Sequence, residues 1–223
     1  MQSLQRDFEI IACLDGGSDN SPELLENLKK IYPLKILPII NQRGLGIAYK
    51  RLFEEVIKSS TSDDLVISLD ADNTHNPAQI PEMLAHFEKN NLDFLVASRF
   101  CTKSVMADFP LHRQFISKAT SILLQSIFSV KKISKKRLQD YSSGYRIYSV
   151  KKLQELFARQ GKQFISEPEF TYTCEILIKL SRLNCRIDET EISYDYGKKI
   201  GKSKLRIARN LWRLGILLIK LAR

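Results

Sequence analysis

Two aspartates one residue apart, Asp70 and Asp72, close the apolar run Leu65-Val66-Ile67-Ser68-Leu69. Successive side chains of an extended chain alternate in direction, so these two carboxylates point the same way and can converge on one cation. Oxygen-only ligands suit Mg²⁺ or Mn²⁺, ions that keep several waters and share their sites with substrate phosphates. The pattern reads as a metal-diphosphate site at the carboxyl end of a buried strand; alone it would equally describe two acids that face solvent or cap the next helix. A second candidate lies in Tyr196-Gly197-Lys198-Lys199-Ile200-Gly201-Lys202-Ser203-Lys204, where two glycines and four lysines suit a loop that grips phosphate. A solvated surface turn is its alternative.

The elements that must position these residues follow from the hydrophobic pattern. Phe8 to Leu14 reads as a strand ending at Asp15, and Ser21-Pro22 as the start of a helix reaching about Tyr32. A strand over Leu34 to Ile40 leads into Gln42-Arg43-Gly44-Leu45-Gly46, which opens a helix to about Lys58. Beyond the aspartates, Pro77 to Asn90 is predicted helical and Asp93 to Ser98 a strand that ends in Arg99. Strands alternating with helices imply βαβ units, a parallel sheet and ligands at the carboxyl ends of the strands. Asp15, Gly44, Asp70, Asp72 and Arg99 all fall at or just past such ends. Farther on, Leu111 to Phe128 is a helix candidate, and the basic connection Ser129 to Arg137 is expected to be mobile. Asp140-Tyr141-Ser142-Ser143-Gly144 then turns into a short strand, and a helix from Pro168 to Arg182 precedes a strand from Cys185 to Tyr194.

Composition bounds the class. At 223 residues and 43% hydrophobic, the chain is expected to form one α/β domain over 1–223, with no linker dividing it. Cys13, Cys101, Cys174 and Cys185 are far apart and fit a reducing compartment rather than a disulfide framework or zinc site. No apolar run nears the roughly 20 residues that span a bilayer, so the expectation is a cytoplasmic protein or one lying on a membrane. The net charge of +10 is concentrated after Gly197, a segment with nine basic residues and no acid. Such a tail invites a nucleic acid, a membrane surface or a phosphorylated substrate.

The order and spacing of Gly44-Leu45-Gly46-Ile47-Ala48-Tyr49, Asp70-Ala71-Asp72 with His75 and Pro77, Asp140 through Tyr148, Glu175, and Gly201-Lys202-Ser203-Lys204 resemble family 2 glycosyltransferases. Within that family the likeness is to dolichol-phosphate mannose synthases and bacterial polyprenyl-phosphate enzymes. The resemblance implies a GT-A fold, a Rossmann-like, mostly parallel sheet flanked by helices, together with a nucleotide-sugar donor and Mg²⁺ or Mn²⁺. It also implies roles. Asp15 resembles the acid that contacts the nucleoside, with Gly44 and Gly46 opening the helix beside it, and Asp70 and Asp72 resemble the metal-diphosphate carboxylates. Arg113, Ser117, Ser143 and Arg146 fall where the family places groups around the sugar and the acceptor phosphate. Lys199, Ser203 and Lys204 match a closing loop, Lys199 standing where an arginine is common; the swap keeps the charge and loses the bidentate fork.

The chemistry so implied is transfer of a hexosyl group, mannosyl from GDP-mannose by analogy, to a polyprenyl or dolichyl phosphate. Asp72, Arg113 and Arg146 are the expected catalytic groups. An anionic lipid phosphate attacks without a strong base, so positioning and charge neutralisation are what the protein must supply, and His75, His86 and His112 are read as structural or surface residues. UDP-glucose as donor is the alternative, as is a catalytically impaired chain that serves a membrane protein as a binding partner subunit. Two departures from the family pattern stand out. A first strand and its Pro-Thr-Tyr-Asn-Glu-like loop have no counterpart before Phe8, which is expected to leave an open slot in the sheet. Leu14-Asp15-Gly16-Gly17 carries one carboxylate where two are usual.

At the C-terminus, 203–223 is predicted to be a basic amphipathic helix, with Ile207, Leu211, Leu214, Leu218 and Leu221 as its apolar stripe. It is expected to lie at the cytoplasmic face of a membrane with Trp212 at headgroup depth, rather than dock on the sheet. Nucleic acid is not expected as a partner, because no aromatic stacking platform accompanies the charge.

Overall fold

The computed structural model describes residues 6–14, 20–38, 43–199 and 207–222. Its centre is a four-stranded sheet of order β3-β6-β4-β7, formed by Leu65–Ser68 (β3), Arg146–Ser149 (β6), Phe94–Ser98 (β4) and Ile187–Glu191 (β7). β4 and β7 are parallel, with Val96 opposite Glu189, whereas β6 runs antiparallel to both β3 and β4. The sheet is mostly parallel, with β6 alone reversed, and the cause of that reversal is local. The turn from Asp140 begins beside the carboxyl end of β4, where the Arg99 backbone N–H donates to Asp140. A strand that leaves this turn without a crossover helix can only run back through the sheet. All five residues of β4 are buried, as a central strand covered on both faces requires.

Ile10–Cys13 (β1) pairs in parallel with Leu34–Leu37 (β2) as a separate sheet. Among the described residues neither β1 nor β3 has a second neighbour. The helix between β1 and β2, Ser21–Lys29 (α1), has no buried residue. Leu45–Ser59 (α2) is better seated: Phe53 meets the ring of Tyr148 on β6 edge-on, and Tyr49 stacks at 4.6 Å on Tyr172. A small parallel pair, Val105–Ala107 (β5) and Ser193–Asp195 (β8), lies beside the main sheet.

Helices cover the sheet. Ile80–Lys89 (α3) follows a 3₁₀ turn over Pro77–Gln79 and packs Ile80, Met83, Leu84 and Phe87 onto one side. Val150–Gln160 (α5) carries Val150, Leu153 and Leu156 at helical spacing, all fully buried. Tyr172–Ser181 (α6) begins four residues later than expected and is buried from Tyr172 through Lys179 to Leu180. Its two charges answer each other, Lys179 Nζ lying 2.7 Å from Glu175. Leu111–Ile127 (α4) buries only Ser121 and Leu124, leaving Leu111, Phe115, Ile122, Leu123 and Ile127 exposed.

Ile207–Ala222 (α7) docks on the protein body, contrary to the expected stripe-down helix. Leu214, Leu217 and Leu221 enter the main core with Leu124 and Ile178, while Leu211, Trp212 and Ile219 stay exposed. Its cations face acids of the body: Arg209 lies 3.1 Å from Glu169, and Arg213 and Lys220 lie 3.6 and 3.0 Å from buried Glu167. An apolar stripe flanked by arginines fits a membrane or a protein surface equally; three ion pairs and a buried leucine row decide for the latter. Among the described residues, no helix is long and apolar enough to cross a membrane.

Candidate active site

Past β3 the chain makes a tight turn with Asn73 in the left-handed region at φ 66°, a conformation asparagine tolerates. The Asp72 carboxylate accepts from the Thr74 backbone N–H at 3.2 Å and from the Thr74 hydroxyl at 2.6 Å, which pins the turn. His75 Nδ1 accepts the Asp70 backbone N–H at 3.1 Å, and the ring is packed between Tyr145 and Tyr194. Burial holds this imidazole below the usual histidine range. Its neutral form is the one that can accept that bond.

The two carboxylates are held differently. Asp70 accepts the Tyr49 hydroxyl at 3.3 Å, and Gly144 lies against it; a Cβ there would sit 3.6 and 3.8 Å from its two oxygens. Asp72 forms an ion pair with Lys199, which follows β8 and a 3₁₀ turn over Tyr196–Lys198. Partial burial opposes ionisation of Asp72, but Lys199 and Thr74 outweigh it and lower the carboxyl below its usual range. Arg113, on the first turn of α4, stands 5.6 Å over the Tyr196 ring, and Lys199 Nζ stands 5.9 Å from the same ring. Two cations and an aromatic face therefore gather beside Asp72.

Behind them lies a buried network. Arg99 donates to Asp140 through Nε at 2.8 Å and Nη2 at 2.7 Å, and also reaches the Ser142 hydroxyl at 2.7 Å and the Ser117 hydroxyl at 3.4 Å. Asp140 accepts the backbone N–H groups of Ser142 and Ser143, each at 3.0 Å. Burial works against both charges, yet their mutual attraction prevails, raising the guanidinium and lowering the carboxyl. Ser143 Oγ is buried with no hydrogen-bond partner among the described residues.

Asp72 pairs with Lys199, Arg113 shares the Tyr196 ring with that lysine, Asp70 lies against Gly144, and Ser117 meets Arg99, whereas Arg146 does not join them. Arg146 is fully buried, donating to the carbonyls of Thr173 at 2.7 Å and Tyr141 at 2.9 Å with its guanidinium over Phe94. Its position corrects the expected catalytic role: the side chain ties β6 to α6 from within. Gly44 and Gly46 likewise serve packing, because a Cβ would lie 2.3 Å from the Pro168 carbonyl oxygen at Gly44 and 2.0 Å from the Glu167 carbonyl oxygen at Gly46. The Gly46 N–H donates to Pro168 at 3.0 Å, closing the start of α2 onto that loop. Asp15, Ser203 and Lys204 lie outside the described residues, as do Arg206 and Arg223 of the basic tail.

Asp140, Tyr49 and Tyr196 received no role of their own from the sequence, whereas Arg99 falls with the aspartates at the strand ends expected to share a site. Arg99 carried a signal, since it ends a strand as the aspartates do, and Tyr49 follows Gly46 by one helical turn. Nothing local marked Tyr196 as the surface on which Arg113 would settle.

The donor set suits the implied ion. Among the described residues no group of three or more His, Cys, Asp or Glu could hold a metal. Two carboxylates with a hydroxyl nearby are what Mg²⁺ or Mn²⁺ requires when waters and a diphosphate complete the shell. The Lys199 ammonium on Asp72 shows that this carboxylate attracts a cation.

A family model described as "Glycosyl transferase family 2" matches residues 2–157. The dolichol-phosphate mannosyltransferase of Pyrococcus furiosus is 31% identical over 111 residues, covering 50% of this chain and 30% of the relative. The undecaprenyl-phosphate mannosyltransferase of Micrococcus luteus is 27% identical over 164 residues, covering 73% of this chain and 60% of the relative. The chain thus spans less than two thirds of the length of these relatives. Among solved structures, S. aureus TarS 1-349 in complex with UDP matches with a TM-score of 0.56 at 15% identity, over 96% of this chain and 56% of that one. At that identity the likeness concerns the fold, the GT-A arrangement.

Proposed function

Because this chain belongs to glycosyl transferase family 2, we propose that it transfers a hexosyl group from a nucleotide sugar to a polyprenyl phosphate at a membrane surface. The donor by analogy is GDP-mannose, since the two curated relatives are named as mannosyltransferases of dolichol phosphate and undecaprenyl phosphate. The observation that carries the reading is the turn at the end of β3, where Asp72 pairs with the Lys199 ammonium, which shares the Tyr196 ring with Arg113.

The residues divide the work by charge. Asp70 and Asp72 would hold Mg²⁺ or Mn²⁺, which when bound neutralises the diphosphate that leaves the sugar. Arg113 and Lys199 are the cationic partners an acceptor phosphate would need, and Ser117, one helical turn beyond Arg113, carries a hydroxyl that meets Arg99. A phosphate oxygen is anionic at neutral pH, so its attack on the anomeric carbon needs orientation more than proton removal. His75, neutral and engaged with the Asp70 backbone, orients the turn. Tyr49 and Gly144 fix Asp70, the first by a hydrogen bond and the second by leaving room.

The acceptor class explains the outer surfaces. Leu111, Phe115 and Ile122 on α4, with Trp212 and Ile219 on α7, are large apolar side chains left in water by the fold. Such faces favour peripheral attachment to a bilayer, which we place on the cytoplasmic side in keeping with four cysteines that lie far apart in the sequence. Transfer of labelled sugar from GDP-mannose and, separately, UDP-glucose to a short-chain polyprenyl phosphate, with Mg²⁺ or Mn²⁺, tests the reading. Label should enter the lipid with the intact chain and fall by at least about 100-fold in Asp72→Ala. No transfer from either donor by folded protein would overturn it.

A further inference from the structure

From Pro110 to Gln139 the chain carries seven lysines and arginines and no acid. Five of them fall within Lys131–Arg137, the connection expected to be mobile. It is instead a tied hairpin. Lys131 and Arg137 form a bridge, the Lys132 N–H donates to the Lys136 carbonyl at 2.9 Å, and Lys135 turns the chain at φ 64°. Its base is fastened from inside: the Ile133 N–H donates to Ile187 of β7 at 2.8 Å, and Lys132 reaches buried Glu189 at 3.1 Å. Tyr141 secures the entry, its hydroxyl donating to the Phe128 carbonyl at 2.6 Å.

With Lys132 turned inward, Lys131, Lys135, Lys136 and Arg137 are left exposed, and no ion pair engages any of them among the described residues. The cations of α7 contrast with them, because Arg209, Arg213 and Lys220 are all answered by Glu167 or Glu169. The hairpin is therefore an unneutralised positive patch, four exposed cations within seven residues, and it adjoins the apolar outer face of α4, where Ile122, Leu123 and Ile127 are exposed. The C-terminal ends of α4 and α7 meet beside it: Arg182 lies 5.8 Å from the Phe128 ring and donates to the Leu221 carbonyl. An open cleft of about 480 Å³ at this corner includes Lys131 and Arg182 in its lining.

We propose that hairpin 131–137 is an anchor for anionic lipid headgroups, and that with the outer face of α4 it lays the protein on a negatively charged bilayer. The proposal rests on the reading that the acceptor is a membrane lipid, and it adds which surface meets the membrane and which lipids it selects. Apolar side chains beside a row of exposed lysines favour a bilayer over nucleic acid, which offers no hydrocarbon to bury. α4 is about 25 Å long, with Arg113 at one end and the hairpin past the other. A helix lying flat would hold the candidate site at the same surface while the hairpin fixes its direction.

Flotation of the chain with vesicles of phosphatidylcholine, with and without phosphatidylglycerol, tests this. The wild-type chain should bind anionic vesicles at least about 100-fold more tightly than neutral ones, with a steep loss in salt. Changing Lys131, Lys135, Lys136 and Arg137 together to glutamine should remove most of that preference, up to about 1000-fold. These positions are remote from the candidate site, so the variant should keep its circular dichroism and its sugar transfer to a water-soluble short-chain acceptor. Equal binding by variant and wild type, equal binding to neutral vesicles, or hairpin-dependent binding to duplex RNA without vesicle binding would each overturn the proposal. Inhibition of vesicle binding by millimolar inorganic phosphate at constant ionic strength would also overturn it, since it would make the patch a site for free phosphate. If vesicles are bound as expected but no sugar is transferred to the soluble acceptor, the anchor stands and the proposed enzyme reading fails.

Discussion

The candidate site has two halves whose charges are held in opposite ways. Arg99 and Asp140 are sealed in the interior, 8% and 0% exposed, and every contact between them is made by the protein itself. Lys199 and Asp72 are partly open, 18% and 26% exposed, and their partner is a side chain at the edge of a loop. A buried pair of this kind cannot exchange partners without leaving a charge in low dielectric, whereas an open one can. The first half is thus scaffold for the Ser142–Ser143 turn, and the second is where an incoming metal or phosphate competes.

Substitutions should separate the halves. The largest effect is expected for Asp140→Asn, which leaves the Arg99 guanidinium buried without its counter-charge; unfolding in urea should show a loss of about 3–5 kcal/mol. A loss no greater than that of an exposed pair would erase the distinction. Acid titration sharpens it. Folding lowers the Asp140 carboxyl below its ordinary 3.8, so its contribution is complete above that value and disappears as pH falls through the lower folded value. Wild-type stability should therefore fall more steeply in acid than that of Asp140→Asn. Smallest in stability is Lys199→Gln, expected to cost less than about 1 kcal/mol because the ion pair is partly solvated. Mn²⁺ affinity, read by electron paramagnetic resonance, should rise by up to about fivefold as the competing ammonium is removed, while transfer to the acceptor falls. Unchanged Mn²⁺ binding would mean that Lys199 does not compete at Asp72.

Other elements show where local pattern was enough and where it was not. β3 with its terminal aspartates, β4 ending at Arg99, and α4 beginning near Leu111 were legible because period and end-residues are local properties. α5 carries the same signal. The hairpin at 131–137 looked like a mobile linker because its ties, to Ile187 and Glu189, lie about fifty residues away in sequence. Arg146 stands in a motif near Ser143 and is nonetheless fully buried, because β6 is an inner strand of the sheet and both of its faces are covered. The basic helix at the C-terminus met acids at Glu167 and Glu169 that no reading of its own stripe could supply.

By itself the sequence determined that two carboxylates one residue apart follow an apolar strand, that glycines open the helix preceding it, and that positive charge gathers toward the end of the chain. Those are consequences of backbone period and side-chain type. Only the tertiary structure decided that β6 runs backward, that α7 docks rather than lies free, that Lys199 pairs with Asp72 while Arg146 is buried, and that the hairpin keeps four exposed cations without ion pairs. Each of these depends on which distant group neutralises a charge or fills a gap, and that is set by packing rather than by spacing along the chain.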